Sequence, residues 1–356
     1  MNDTTTIEVT RVRGARWPYG LAIGFLAVGL LVLLSWPVKL PYFAMSPGPV
    51  EAVTDLVSAS DVATFESDGE FFLLTVSLRE VNAFEWFEAE FLDDRVDLVA
   101  RDVIRPSGVS QEEVTRSNLA AMDESIDTAI FVALGRLGYD VGFNGEGVEV
   151  LQVVEGAPAD GALEVGDRFT VIAGLEIQTS DQAAEVIRSF GIGDTINLAG
   201  IRAGEPFEVD ITLGPHPDIE GAPMVGVVFD TVNLSLDLPV DINVDSRNIG
   251  GPSAGMTYAL TVIDLLTAED LTKGRVIAGT GTIRFDETVG AIGGVRQKVF
   301  AARGIGADVV FVPTANFEDA LTAAGDGIEI VAVATLQDAL DFLAALEPAS
   351  LVAASG

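Results

Sequence analysis

Residues 250–266 read GGPSAGMTYALTVIDLL. A Gly-Gly-Pro turn leading into a nearly unbroken apolar run predicts a buried helix whose first turn carries Ser253. The first amides of a helix lack intrahelical acceptors and sit at the positive end of its dipole. A hydroxyl placed there faces donors suited to an oxyanion. Gly251-Pro252-Ser253-Ala254-Gly255 also fits the G-x-S-x-G pattern of a nucleophile elbow, but that arrangement needs an acid and then a histidine downstream. The one histidine, His216, lies upstream in GPHPD. A serine nucleophile here therefore needs another base, and lysine is the usual one.

Three lysines are present. Lys39 adjoins an apolar stretch near the N-terminus, and Lys273 lies in the polar turn EDLTKGR. Lys298 sits in IGGVRQKVFAARG, a short predicted helix ended by Gly304, beside Val299, Phe300, Ala301 and Ala302. An ordinary lysine, with a pKa of ~10.4, is neutral in roughly one molecule in 2,500 at pH 7. A general base needs burial that draws this value toward ~7–8, and apolar neighbours supply it. Composition alone leaves the alternative open: a surface lysine whose stem lies along apolar side chains.

Composition narrows the chemistry further. The 356 residues include no cysteine, which removes disulfides, thiol nucleophiles and Cys-rich metal sites. A single histidine argues against Ser-His-Asp catalysis and against metal sites built on several imidazoles. Asp241-x-Asn243-x-Asp245 opens like a calcium loop, yet Ser246 holds the turn-glycine position and Pro252 the final Glu position, so no metal is expected. No G-x-G-x-x-G follows a strand, so no cofactor is expected either. With 20 basic against 54 acidic residues, a formal charge of −34, the chain offers no basic face to nucleic acid or anionic lipid. At 49% hydrophobic residues it is too apolar for general disorder, and its length allows two or three domains.

Toward the N-terminus, Trp17 to Val38 is 22 residues without a charge, bracketed by Trp17, Tyr19 and Trp36. A helix of ~20 residues crosses a ~30 Å hydrocarbon layer, and aromatic rings favour its interfaces. Arg11, Arg13 and Arg16 precede the stretch, whereas Lys39 alone follows it closely. The positive-inside bias puts residues 1–16 in the cytoplasm, 17–38 across the cell membrane as a single pass, and the body outside the cytoplasm. Residues 39–64, with PYFAMSPGPV at 41–50, read as a juxtamembrane linker, and 346–356 as a flexible tail. FFLLTVSL (71–78) reads as a buried strand, and Leu119–Leu137 as a helix stopped by Gly138.

Between them, VEVLQVV (148–154), RFTVIAG (168–174), TINLAGI (195–201) and PFEVDITL (206–213) read as strands, with a helix from Ser180, its N-cap, to Phe190. The turn residues of GAPADGALEVGD, at fixed offsets between these strands, resemble a bacterial PDZ domain, here over 138–215. The resemblance implies capture of polypeptide C-terminal tails by an added strand, with Tyr139, Asp140, Val141, Gly142 and Phe143 as the carboxylate loop.

Three ordered motifs, GGPSAGM, AGTGTI (278–283) and GGVRQKVFAARGIGADVVFVP (293–313), resemble the proteolytic domain of the Lon family. The resemblance implies Ser253 as nucleophile, Lys298 as general base and Thr280 as the threonine that positions the lysine. Gly251, Pro252 and Ala254 are the supporting turn. ATP-dependent members usually carry Asp where Gly250 stands and Glu where Thr282 stands, and no G-x-x-x-x-G-K-[ST] loop occurs here. MDESIDTAI (122–130) resembles the Glu-Ser helix near the start of that domain. The resemblance therefore implies a catalytic domain split into 65–137 and 224–345 around the PDZ unit.

The expected fold class is α+β: a Lon-type α/β proteolytic domain, a β-rich PDZ domain and one N-terminal transmembrane helix. The expected function is that of a membrane-anchored, PDZ-containing Lon-like protease of bacterial type. It would be an ATP-independent serine endopeptidase cleaving exported or membrane polypeptides. The rival reading is a membrane-tethered PDZ scaffold with an inactive Lon-like domain. Lon-like domains often form rings, which leaves a homo-oligomer open.

Overall fold

Alternation along strands builds the larger unit. Phe71 and Leu73 point to one face of a sheet and Leu74 to the other; Ile277 and Ala278, and Val309 and Val310, divide in the same way. A computed structural model describes residues 37–217, 219 and 221–349, with Leu26 and Gly29. It gives a six-stranded sheet in the order Glu329–Val333, Val309–Pro313, Val276–Gly279, Glu70–Glu80, Tyr42–Ala52 and Asp97–Ala100. The first four strands are parallel and the last two antiparallel to their neighbours. One face carries the helices Gln111–Arg136, Gly255–Leu266 and Leu336–Ala345; the other carries Val295–Gly304 and Phe317–Ala324. Strands before and after the β-rich unit thus share one sheet and one core.

The second unit is a sheet of Glu205–Thr212, Thr195–Arg202, Arg168–Ile172, Val148–Val153 and Val227–Thr231 around its own core. Its helix, Ser180–Arg188, is capped by Thr179 rather than by Ser180, because the Thr179 hydroxyl accepts the Gln182 amide. The chain enters and leaves this unit as a pair of antiparallel segments. Val148–Val153 pairs with Val227–Thr231, and Gly142–Asn144 with Ser235–Asp237.

Three expectations need correction or placement. Residues 41–50 are not a linker: Tyr42–Ala52 is an inner strand with Phe43 and Ala44 buried. Its Pro and Gly mark a bulge, where the register slips between Pro47 and Val50. Gly48 lies so close to Thr75 that a Cβ has no room. Val227–Thr231, assigned above to the proteolytic domain, is an edge strand of the β-rich unit. Finally, residues 1–16, most of the expected span at 17–38 and the end of the tail lie outside the described residues. Among the described residues, no helix is long and apolar enough to cross a membrane.

Candidate active site

The turn that carries Ser253 is fixed from both sides. Gly251, at φ +94°, donates its amide to the Asn118 carbonyl at 2.8 Å, and the Ser125 hydroxyl donates to the Pro252 carbonyl at 2.9 Å. Both partners lie on the long Gln111–Arg136 helix. From the other side, the Ser253 carbonyl accepts the Gly281 amide at 2.8 Å and the Thr280 hydroxyl at 3.1 Å. With that carbonyl committed, the helix starts at Gly255, capped at Ala254, so Ser253 sits on the turn before the helix rather than in its first turn. Gly255 has no room for a side chain: a Cβ would lie 2.6 Å from Ser125 Oγ and 2.8 Å from Ile283 Cγ2. Gly255→Ala is expected to cost ~1–3 kcal/mol by overpacking, read by thermal unfolding, and to displace Ser253.

Lys298 comes from the opposite side of the sheet core, on Val295–Gly304. Gly294 starts that helix in the left-handed region (φ +67°), where a Cβ would lie 2.7 Å from both Met45 Sδ and Val76 Cγ1. A glycine there lets the lysine helix close down on the two strands. Lys298 is 2% exposed, and its Nζ donates to Ser253 Oγ at 2.6 Å and to Thr280 Oγ1 at 2.8 Å. Thr280, fully buried, in turn donates to the Ser253 carbonyl. Among the described residues no carboxylate pairs with Lys298, so burial acts unopposed and lowers its pKa from 10.5 to about 7. The other two lysines are engaged elsewhere, Lys39 with Glu80 and Glu85 and Lys273 with Glu269.

Ser253 and Lys298 open onto a cleft of about 650 Å³ whose walls include Leu73, Val76, Leu78, Ile249 and Ile292. The Arg247 guanidinium, on the loop before the serine, reaches across to Glu51 at 2.8 Å. Chemically, a hydroxyl against a buried amine that is half neutral near pH 7 can exchange its proton and act as a nucleophile. The cleft holds room for a polypeptide segment beside it.

The five residues expected as a carboxylate loop are placed differently. Tyr139 and Val141 pack against the core of the larger unit. Phe143 stacks on Phe131 at 4.9 Å and meets Phe285 edge-on at 5.2 Å, while Gly142 and Phe143 pair with Asp237 and Leu236. Asp140 lies in the same segment. These residues join the two units. The sheet edge beside Ser180–Arg188 is instead Val227–Thr231, where the Thr231 hydroxyl oxygen accepts the Ser180 amide at 2.9 Å. The clamp residues Asn118 and Ser125 were not singled out in the sequence, although Ser125 lies within MDESIDTAI.

Comparison with known proteins finds two domains along the chain. Residues 236–345 match the Lon protease (S16) C-terminal proteolytic domain, and residues 135–213 match the PDZ domain family. The chain is 32% identical over 133 residues to a Lon protease of Mycolicibacterium smegmatis, covering 36% of this chain and 16% of that one. It is 34% identical over 117 residues to Lon protease 2 of Bacillus subtilis, covering 33% and 20%. The chain thus spans a fifth or less of the length of these curated relatives. The PDZ domain of an SdrC-like protein from Listeria monocytogenes is 30% identical, over 24% of this chain and 87% of that one, with a TM-score of 0.23. The chain carries a Lon-type proteolytic domain and a PDZ domain.

Proposed function

We propose that this pairing of a Lon-type proteolytic domain with a PDZ domain makes the chain a membrane-anchored, ATP-independent serine endopeptidase acting on exported or membrane polypeptides. The observation that carries the reading is the 2.6 Å contact between Ser253 Oγ and a buried Lys298 Nζ whose pKa lies near 7. Neutral Lys298 takes the hydroxyl proton as Ser253 Oγ attacks the scissile carbonyl. The ammonium returns the proton to the leaving amine, and water then releases the acyl group. The amides at the start of Gly255–Leu266 supply donors for the oxyanion, apart from that of Met256, which is engaged by the Gly281 carbonyl at 3.2 Å. ATP independence rests on the lack of a phosphate-binding loop in these 356 residues, and anchoring on the uncharged run 17–38.

The test is degradation of an unfolded protein by the full chain in detergent without nucleotide. Wild type is expected to cleave and Ser253→Ala to leave the substrate intact. Cleavage surviving in Ser253→Ala would remove the serine from the reaction, and an inert wild type would favour the scaffold.

The PDZ unit recruits polypeptide ends along Val227–Thr231, the sheet edge beside its helix, as an added strand. C-terminal peptides are expected to slow amide hydrogen exchange at 227–231 and to leave 139–143 unchanged. The reverse pattern would return the ligand to the Tyr139–Phe143 segment.

A further inference from the structure

The helix Ala83–Phe91, AFEWFEAEF, is the most aromatic segment of the chain, and not one of its residues is buried. Phe87 and Phe91, one helical turn apart, are 50% and 62% exposed with their rings 4.9 Å apart, and Leu92 at the C-cap is 71% exposed. An apolar stripe of this kind turned to solvent marks an interaction surface.

The chain's own path says what covers it. The uncharged run 17–38 ends at Val38, itself 58% exposed. One residue later Lys39 Nζ donates to the Glu80 carbonyl at 2.9 Å and lies 3.5 Å from the Glu85 carboxylate. The Leu40 amide then donates to the Val81 carbonyl at 2.8 Å, next to the helix cap Asn82. At ~3.4 Å per extended residue, a chain leaving a bilayer at Val38 meets the helix within ~10 Å, inside the interfacial layer. The acids nearest that point are matched: Glu85 by Lys39 and Arg79, Glu80 by Arg101 and Arg105.

We infer that Ala83–Phe91 lies on the bilayer surface, with Phe87, Phe91 and Leu92 seated among zwitterionic headgroups. The contact holds the cleft in a fixed orientation to the membrane. The inference rests on the proposed anchor. Glu88 and Glu90, which form no ion pair among the described residues, oppose anionic lipid, so phosphatidylcholine is the surface the helix fits.

A chain without cysteine allows single-site labels. Full-length Phe91→Cys, Ala27→Cys and Asp210→Cys, each carrying an environment-sensitive fluorophore, would be reconstituted in phosphatidylcholine vesicles containing shallow or deep nitroxide lipids. The expected result is a blue shift and shallow quenching at 91, deep quenching at 27 and neither at 210. A second arm keeps residue 91 native and labels Leu92→Cys, which should also be quenched from the shallow position. Quenching at 27 with both 91 and 92 in water would overturn the inference and leave the anchor standing. No quenching at 27, 91 or 92 would overturn both. A blue shift at 91 without lipid quenching, fading as protein is diluted, would assign the stripe to a second copy of the chain and overturn the lipid contact.

Discussion

Replacing Lys298 by Met is expected to abolish peptide hydrolysis and, in the same protein, to raise its melting temperature. The loss follows from the proton. Without Nζ nothing beside Ser253 accepts its hydrogen, and removing one member of such a pair typically lowers turnover by ~10³–10⁴-fold or more. The gain follows from burial. A lysine whose pKa falls from 10.5 to about 7 in the folded chain disfavours folding whenever it is protonated. At about 1.4 kcal/mol per pKa unit the cost is on the order of several kcal/mol. The sign can be checked against pH. Between about 7 and 10.5 the unfolded chain holds a proton that the folded chain has lost, so wild-type stability climbs with pH across that window. Methionine, apolar and of similar length, carries no such cost. The stabilisation by Lys298→Met should therefore be largest at pH 6 and shrink toward pH 10. Lys298→Arg should lose activity as well, since guanidinium does not deprotonate, and should not be stabilised. If Lys298→Met unfolded more easily than wild type at pH 6, the lysine would be a structural cation, and its role as base would fall.

The contacts among Ser253, Thr280 and Lys298 were legible in the sequence because each rests on a short local pattern. Gly294 opens the lysine helix, Gly251-Pro252 shapes the serine turn, and the Thr280-Gly281 step ends an inner strand. What escaped was longer-ranged. Asn118 and Ser125 clamp the serine turn from more than 120 residues away, and no periodicity signals such a contact. PYFAMSPGPV was misread because Pro and Gly mark a bulge as readily as a linker, and only the pairing with Glu70–Glu80 separates the two. The surroundings of Tyr139–Phe143 escaped for a related reason. The two connecting segments pair along their length, so the segment returning from the β-rich unit supplies the edge strand and YDVGF is drawn to the larger core. Sequence order assigned each segment to its nearest neighbour, and the sheet assigned it to a partner some 80 residues away.

The pH dependence of hydrolysis tests the site from another direction. With a substrate lacking ionisable groups, kcat/KM is expected to rise about tenfold per pH unit below 7 and to level off above, with the inflection near Lys298's value of about 7. The direction is fixed by chemistry: an ammonium has no lone pair with which to accept the Ser253 proton. Thr280 refines the prediction. Its hydroxyl proton is committed to the Ser253 carbonyl, so its oxygen accepts an Nζ hydrogen and turns the lone pair of the neutral amine toward Ser253. Thr280→Val removes that acceptor. The charged lysine loses a stabilising partner, so the inflection should move to lower pH, while kcat falls by ~10–100-fold as the amine loses its orientation. Thr280→Ser keeps the hydroxyl and should restore both. A structural role alone would lower kcat through unfolding and leave the inflection where it was. An inflection unmoved in Thr280→Val, or a profile flat from pH 5 to 8 in wild type, would separate Lys298 from the proton transfer. The 2.6 Å contact with Ser253 would then be packing rather than catalysis.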